Sequence, residues 1–233
     1  MPIVFVPGFT QTAASWHAVM KQLASSHRAT AIDVPTGLDF VATASAIGTA
    51  EGRATYVGYS MGGRLALRLA LDHPELVEGL ALVSASPGLR TEAERSARRA
   101  ADEVLARDVE TRGVEAFLAD WIAQPLFASV PADRAGLRER AEGHTAADLA
   151  ATLRRLGTGT QEPLWERLGE LRMPVALITG RADTKFDAIN DEMQSGCTSA
   201  MVTRVRIDGG HALPLVAPDA IAHALREWLP ARA

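Results

Sequence analysis

The segment Gly58-Tyr59-Ser60-Met61-Gly62-Gly63 constrains this chain more than any other. It follows a short apolar run, Ala54–Val57, and leads into Gly62–Asp72, where apolar residues recur at i, i+3, i+4 spacing. A serine between glycines on a strand-to-helix turn is held in a strained conformation that pushes Oγ into the open. Gly58 and Gly62 remove the Cβ atoms that would collide in so sharp a turn. The helix that follows aims its N-terminus at the serine, which favours developing negative charge. The bland alternative is a glycine-rich turn with an incidental serine. Phosphate-binding readings fit worse. The G-K-[ST] ending of a P-loop is missing, and no G-x-G-x-x-G follows the first strand.

The rest of the chain supplies the context such a turn needs. Ile3–Val6, Thr30–Val34, Ala54–Val57, Gly79–Val83, Val175–Thr179 and Val202–Ile207 are short runs rich in Val, Ile and Leu. Continuous apolar runs of this length suit strands buried on both faces of a parallel sheet. Trp16–Ser25, Gly62–Asp72 and Pro218–Leu229 read as the helices between them, so the pattern predicts a doubly wound α/β sheet. The alternation stops between about Gly88 and Met173. There Thr91–Arg107, Gly113–Ile122, Arg134–Glu142 and Ala146–Leu156 all read as helices, as in a cap inserted between two strands. The expected division is a core of 1–87 and 174–233 with a helical cap over 88–173.

Composition excludes several function classes. The net charge is −4 and neither sign dominates, so nothing points to nucleic acid or a membrane surface. No apolar run approaches the roughly 20 residues that span a bilayer. The apolar N-terminus is too short for a signal peptide. A single cysteine, Cys197, precludes an internal disulfide and fits a reducing compartment. The expectation is a cytoplasmic protein, monomeric or weakly self-associating, that acts on a small molecule without a metal or organic cofactor.

The serine's partners should stand in loops just past strand ends. Val175–Thr179 is followed by Gly180-Arg181-Ala182-Asp183, which makes Asp183 the preferred acid over Asp187, four residues on, and over Asp33 and Asp208. Val202–Ile207 is followed by Asp208-Gly209-Gly210-His211. His211 is the preferred base. His17, His27, His73 and His223 fall in helical or helix-end contexts, and His144 lies in the cap. Ser60, Asp183 and His211 then follow one another in the chain order of the α/β-hydrolase fold. His211 would accept the Ser60 proton, and Asp183 would orient the imidazole. Oxyanion donors are expected from the backbone amides of Phe9, in the loop Pro7-Gly8-Phe9, and of Met61. Because the first strand begins at residue 3, the expectation is a mostly parallel sheet of about six strands that lacks a leading hairpin.

Motifs beyond the triad carry a narrower likeness. They include Arg64 directly after the elbow, Ser86-Pro87-Gly88-Leu89 at the start of the cap, and Glu94-Arg95-Ser96-Ala97-Arg98. Asp120-Trp121-Ile122-Ala123-Gln124-Pro125-Leu126-Phe127, Gly157-Thr158-Gly159-Thr160-Gln161 and Asp183-Thr184-Lys185-Phe186 complete the set. In these the chain resembles the 2-succinyl-6-hydroxy-2,4-cyclohexadiene-1-carboxylate synthases, pyruvate-eliminating lyases of menaquinone biosynthesis, from Ile3 to Leu229. It departs from them at Pro7-Gly8, where His-Gly is usual, in the apolar Ala212-Leu213-Pro214, and in the short segment 33–53.

The resemblance implies a carboxylated substrate held by Arg64, Arg98 and Arg140, with Tyr59 and Trp121 beside it. It also implies that Ser60 acts as a base rather than forming an acyl-enzyme. Independently of it, Arg64 stands one helical turn past Ser60, and arginine forks match carboxylates bidentately. Arg64, Arg68 and Arg140 also read as surface arginines, and Trp121 as a core residue of the cap. A serine hydrolase acting on small carboxylated esters or carbon–carbon bonds remains the alternative. A non-catalytic ligand receptor on the same fold stands further off.

Overall fold

The computed structural model describes residues 2–25 and 27–229. Met1 and residues 230–233, the outer ends of the expected core, lie outside them. Six strands form one sheet: β1 (Pro2–Val6), β2 (Arg28–Ala31), β3 (Ala54–Tyr59), β4 (Val77–Val83), β5 (Val175–Gly180) and β6 (Val202–Ile207), in the order β2-β1-β3-β4-β5-β6. Every neighbouring pair is parallel.

Successive side chains of a strand face opposite ways, and here both faces are apolar. Val4, Val6, Tyr56, Leu80, Leu82 and Leu177 pack on one side of the sheet. Ile3, Phe5, Val57, Ala81, Val83 and Ile178 pack on the other. The first side is covered by α2 (Phe40–Glu51), α3 (Met61–Asp72) and α8 (Thr184–Gly196); the second by α1 (His17–Leu23) and α10 (Pro218–Trp228).

Between β4 and β5 lie α4 (Glu92–Arg112), α5 (Val114–Ile122), α6 (Leu137–Glu142) and α7 (Ala146–Leu156). Thr91 with Glu94, and Thr145 with Asp148, form capping boxes that start α4 and α7. These helices share a small core of their own, built on Val109, Phe117, Leu118, Leu149 and Leu153. A short helix α9 (Leu213–Val216) follows the last strand.

Two differences from the sequence reading have plain causes. The second strand lies at Arg28–Ala31 rather than Thr30–Val34, because its register is set by pairing with Pro2–Phe5. Ile32 and Val34 are apolar because they pack on the core from the loop beyond. The unpredicted α2 is built of Ala, Thr, Ser and Gly and offers little apolar contrast. Its start is set by Asp39, whose side chain accepts from the Ala42 amide at 2.8 Å. No helix among the described residues is long and apolar enough to cross a membrane.

Candidate active site

The carboxyl ends of the strands carry the polar residues, as open α/β sheets dictate. Ser60 sits between β3 and α3 at φ 50° and ψ −109°, a region non-glycine residues rarely occupy. The turn is held from both sides. The Ser60 amide donates to the Val83 carbonyl at 2.9 Å, and the Arg64 amide donates to the Ser60 carbonyl at 3.0 Å.

Space explains the glycines. A Cβ on Gly62 would stand 2.2 Å from the Val6 carbonyl oxygen and 2.5 Å from that of Pro7. A Cβ on Gly58 would stand 2.4 Å from the Gly62 carbonyl oxygen. All of these are backbone atoms that cannot swing aside. Gly62→Ala should therefore destabilise the fold by about 2–3 kcal/mol, as overpacking does. A urea titration checks this; an unchanged midpoint would refute the close approach.

His211 follows β6 and is 3% exposed. Its Nδ1 pairs with Asp183 Oδ2 at 2.8 Å, and its Nε2 lies 3.3 Å from Ser60 Oγ. Asp183 is buried in the loop after β5. The order Ser–His–Asp is the geometry in which an imidazole can take a serine proton while a carboxylate holds its tautomer.

Asp187, the competing acid, is engaged elsewhere. It accepts from Arg206 Nε at 2.8 Å and from Arg204 Nη2 at 2.6 Å. The Arg206 bond first, with Arg204 behind it, holds its carboxyl below the usual range. Asp183 Oδ2 is the carboxylate oxygen bonded to the base. Phe9 follows β1, and Met61 opens α3. The amides of a helix's first turn lack intrahelical partners, so Met61 N–H is available to an anion beside Ser60.

These groups meet in a cavity of about 530 Å³ between the sheet and the inserted helices. Ser60, His211, Phe9, Met61, Arg64 and Arg98 all line it, and so does Trp121. Arg64 is 8% exposed. Its Nη1 donates to Gln161 Oε1 at 2.9 Å and its Nη2 to the Leu156 carbonyl at 2.7 Å. Burial pushes this guanidinium down to about 10, with Arg98 adding to the drop and Asp102 opposing it.

Arg98 donates through Nε to Asp102 Oδ1 at 2.8 Å. The Arg98 side chain lines the cavity and is 40% exposed, so its two amino groups are not enclosed by protein. Asp102 is 2% exposed. Burial raises its pKa, and Arg98 opposes the rise. Trp121 meets Phe9 edge-on at 5.0 Å and stacks on Phe117 at 5.9 Å, so it packs the cap against the loop after β1 as well as lining the cavity.

Two residues that the resemblance placed at the substrate do not line the cavity. Tyr59 is 3% exposed and points into the apolar layer on the other side of the sheet, its ring 5.5 Å from that of His211. The alternation of a strand decides this: Ser60 turns up at the strand end while Tyr59 still belongs to β3. Arg140 is 4% exposed. Its Nε donates to the Ala135 carbonyl at 2.9 Å and its Nη1 to the Thr10 hydroxyl, while Nη2 is buried without a partner.

Conversely, Lys185, Gln124 and Glu94 line the cavity and were not singled out as site residues. Lys185 follows the acid loop directly, a signal that was legible. Asp102 was legible too, four residues after Arg98 on a helix. Ser84, also lining the cavity, stands at φ 48° with its buried hydroxyl unpartnered. Among the described residues, no group of three or more His, Cys, Asp or Glu could hold a metal ion.

Comparison with known proteins places this geometry. The model of the alpha/beta hydrolase family matches residues 3–224. A Bacillus subtilis protein provisionally named as a 2-succinyl-6-hydroxy-2,4-cyclohexadiene-1-carboxylate synthase is 38% identical over 177 residues, 74% of this chain and 64% of the relative. The match thus spans under two thirds of that relative's length. The Salmonella agona synthase of the same name is 30% identical over 211 residues, 84% of this chain and 82% of the relative. The solved structure of MenH from S. aureus superposes with a TM-score of 0.90 at 26% identity, covering 98% of this chain and 93% of that one.

Proposed function

The chain belongs to the alpha/beta hydrolase family, and within it to the 2-succinyl-6-hydroxy-2,4-cyclohexadiene-1-carboxylate synthases; from that premise we propose that it eliminates pyruvate from 2-succinyl-5-enolpyruvyl-6-hydroxy-3-cyclohexene-1-carboxylate, a step of menaquinone biosynthesis. One observation carries the reading. Ser60 and His211 share their cavity with two arginines, and one of them, Arg98, is anchored through Nε to a buried aspartate, which leaves the fork of its two amino groups for a ligand. A generic ester needs no such fork, whereas a substrate with several carboxylates does.

The chemistry follows from the contacts. Ser60 Oγ takes the ring proton next to the succinyl ketone while its own proton passes to His211 Nε2, 3.3 Å away. Asp183 stabilises the imidazolium that results. The C–H electrons delocalise onto the ketone oxygen, where the amides of Phe9 and Met61 can meet the charge. As the enolate collapses, the ring double bond shifts and the C–O bond to the enolpyruvyl group breaks. The leaving group is protonated and tautomerises to pyruvate. Ser60 forms no bond to carbon. Arg98 binds a carboxylate remote from the reacting carbon and orients the ring.

A second reading has an observation in its favour: the same serine, imidazole and amides would serve ester hydrolysis through an acyl-enzyme. The two separate at Arg98. Arg98→Ala should lower kcat/KM for pyruvate release about 30- to 160-fold, the loss expected of a charge-assisted pair worth about 2–3 kcal/mol. It should leave p-nitrophenyl acetate hydrolysis within about threefold, since that ester carries no carboxylate to bind. Equal losses on both substrates, or no pyruvate release by the wild type, would end the elimination reading.

A further inference from the structure

The end of α6 and the segment joining it to α7 rest on the loop that follows β1, through Arg140, Gly143 and His144. Gly143 approaches so closely that a Cβ there would stand 2.5 Å from Thr12 Cγ2. Arg140 donates to the Thr10 hydroxyl while its Nε is tied to the Ala135 carbonyl at 2.9 Å. His144 is half-buried beside the backbone of Gln11 and Thr10. Thr10 itself stands at φ 65°, a conformation that a β-branched residue keeps only under outside restraint.

Thr10 directly follows Phe9, which lines the cavity with Ser60 and whose amide is the loop's donor in the reading above. The other side of this loop is also braced. The Tyr59 ring lies against Gly8, where a Cβ would stand 2.7 Å from two ring carbons. The loop is thus held between a strand residue of the core and an arginine of the inserted helices. Burying a guanidinium is costly even when it is paired, and an apolar residue would pack this place more cheaply. What an arginine adds is a directed bond to one hydroxyl.

We propose that Arg140 is a positioning residue. Through the Thr10 hydroxyl it fixes the Phe9 amide beside Ser60, so that the oxyanion site is complete only while the inserted helices are seated on the loop. The proposal rests on the triad and oxyanion reading above but not on pyruvate as the leaving group.

The test uses Thr10→Val, which removes the accepting hydroxyl and keeps the shape, Thr10→Ser, which keeps the hydroxyl, and Arg140→Met. Three quantities are measured: kcat and KM for pyruvate release, and the affinity for phenylboronic acid. In the boronic acid adduct the Ser60 oxygen bonds to boron, the serine proton passes to His211, and a hydroxyl of the anionic tetrahedral boronate occupies the oxyanion site. Thr10→Val and Arg140→Met should each lower kcat about tenfold or more, short of the loss of a whole donor. KM should stay within about threefold, because the lost interaction belongs to the transition state.

Boronate affinity should fall about tenfold in both variants, and Thr10→Ser should stay near wild type. The double variant should lose no more than the weaker single one, because both remove one shared contact. A rise in KM at unchanged kcat in Arg140→Met would make Arg140 a substrate contact and overturn the proposal. So would wild-type boronate affinity in Thr10→Val, or a wild-type protein that binds no boronate. If Arg140→Met fails to fold, the two Thr10 variants decide. Boronate binding without pyruvate release in the wild type would end the elimination reading and leave this proposal to be judged on the boronate data alone.

Discussion

Ser60→Ala should lower kcat for pyruvate release roughly ten-thousand-fold or more, the scale seen when a triad serine is removed. That corresponds to about 5.5 kcal/mol of transition-state stabilisation. KM should move by no more than about threefold, because the variant leaves Arg98, the carboxylate ligand of the proposed reading, in place. Alanine removes the atom that lies 3.3 Å from His211 Nε2 and leaves the imidazole paired with Asp183 at 2.8 Å. A water in the vacated space would be a poorly oriented base, which leaves some residual rate. The strain at Ser60, φ 50°, belongs to the turn and not to the hydroxyl. The variant should therefore fold, with circular dichroism and the thermal midpoint near wild type. Steady-state kinetics on the folded variant checks the prediction; a kcat within tenfold of wild type would remove Ser60 from the chemistry.

Asp183→Asn should cost a similar factor, roughly ten-thousand-fold in kcat. An amide in place of the carboxylate can present its NH₂ to His211 Nδ1 and stabilise the tautomer that carries its proton on Nε2. That imidazole cannot accept the serine proton. The control is Asp187→Asn, which should leave kcat within about threefold. Asp187 Oδ1 accepts from both Arg204 and Arg206 at the edge strand β6, whereas the carboxylate bonded to His211 is Asp183. Its loss should appear as a small stability change, since these are partly exposed ion pairs worth at most about 1 kcal/mol. Measuring both variants side by side assigns the acid. A reversed order of effects would place Asp187 in the relay.

The legible and illegible parts of the site differ in kind. The serine was legible because its signal is contiguous in the chain. A strand run, two glycines and an amphipathic helix state the turn without outside help. The six-strand α/β sheet was legible because apolar runs of strand length alternate with helical periodicity. The helix Phe40–Glu51 was not, since its residues are small and its inner and outer faces differ little in hydropathy.

Asp183 and Asp187 stand four residues apart in one loop-helix junction, and no spacing rule separates them. Arg64 was placed one turn past Ser60 by helical geometry alone. Its partner Gln161, 97 positions away, was not. Tyr59 and Arg140 were assigned to the substrate by resemblance, and packing sends both elsewhere: Tyr59 under Gly8 and Arg140 onto Thr10.

By itself the sequence determined the elements, their order, the nucleophile turn and the short set of acids and bases that could serve it. These depend on backbone preference and on periodicity, which act between near neighbours. Only the tertiary structure decided which of two aspartates reaches His211, which arginine is anchored beside the cavity by Asp102 and which is spent on Thr10 of the loop after β1. Those outcomes depend on how β1, β6 and the inserted helices come to rest against one another, and contacts between such distant segments leave no periodic trace in the chain.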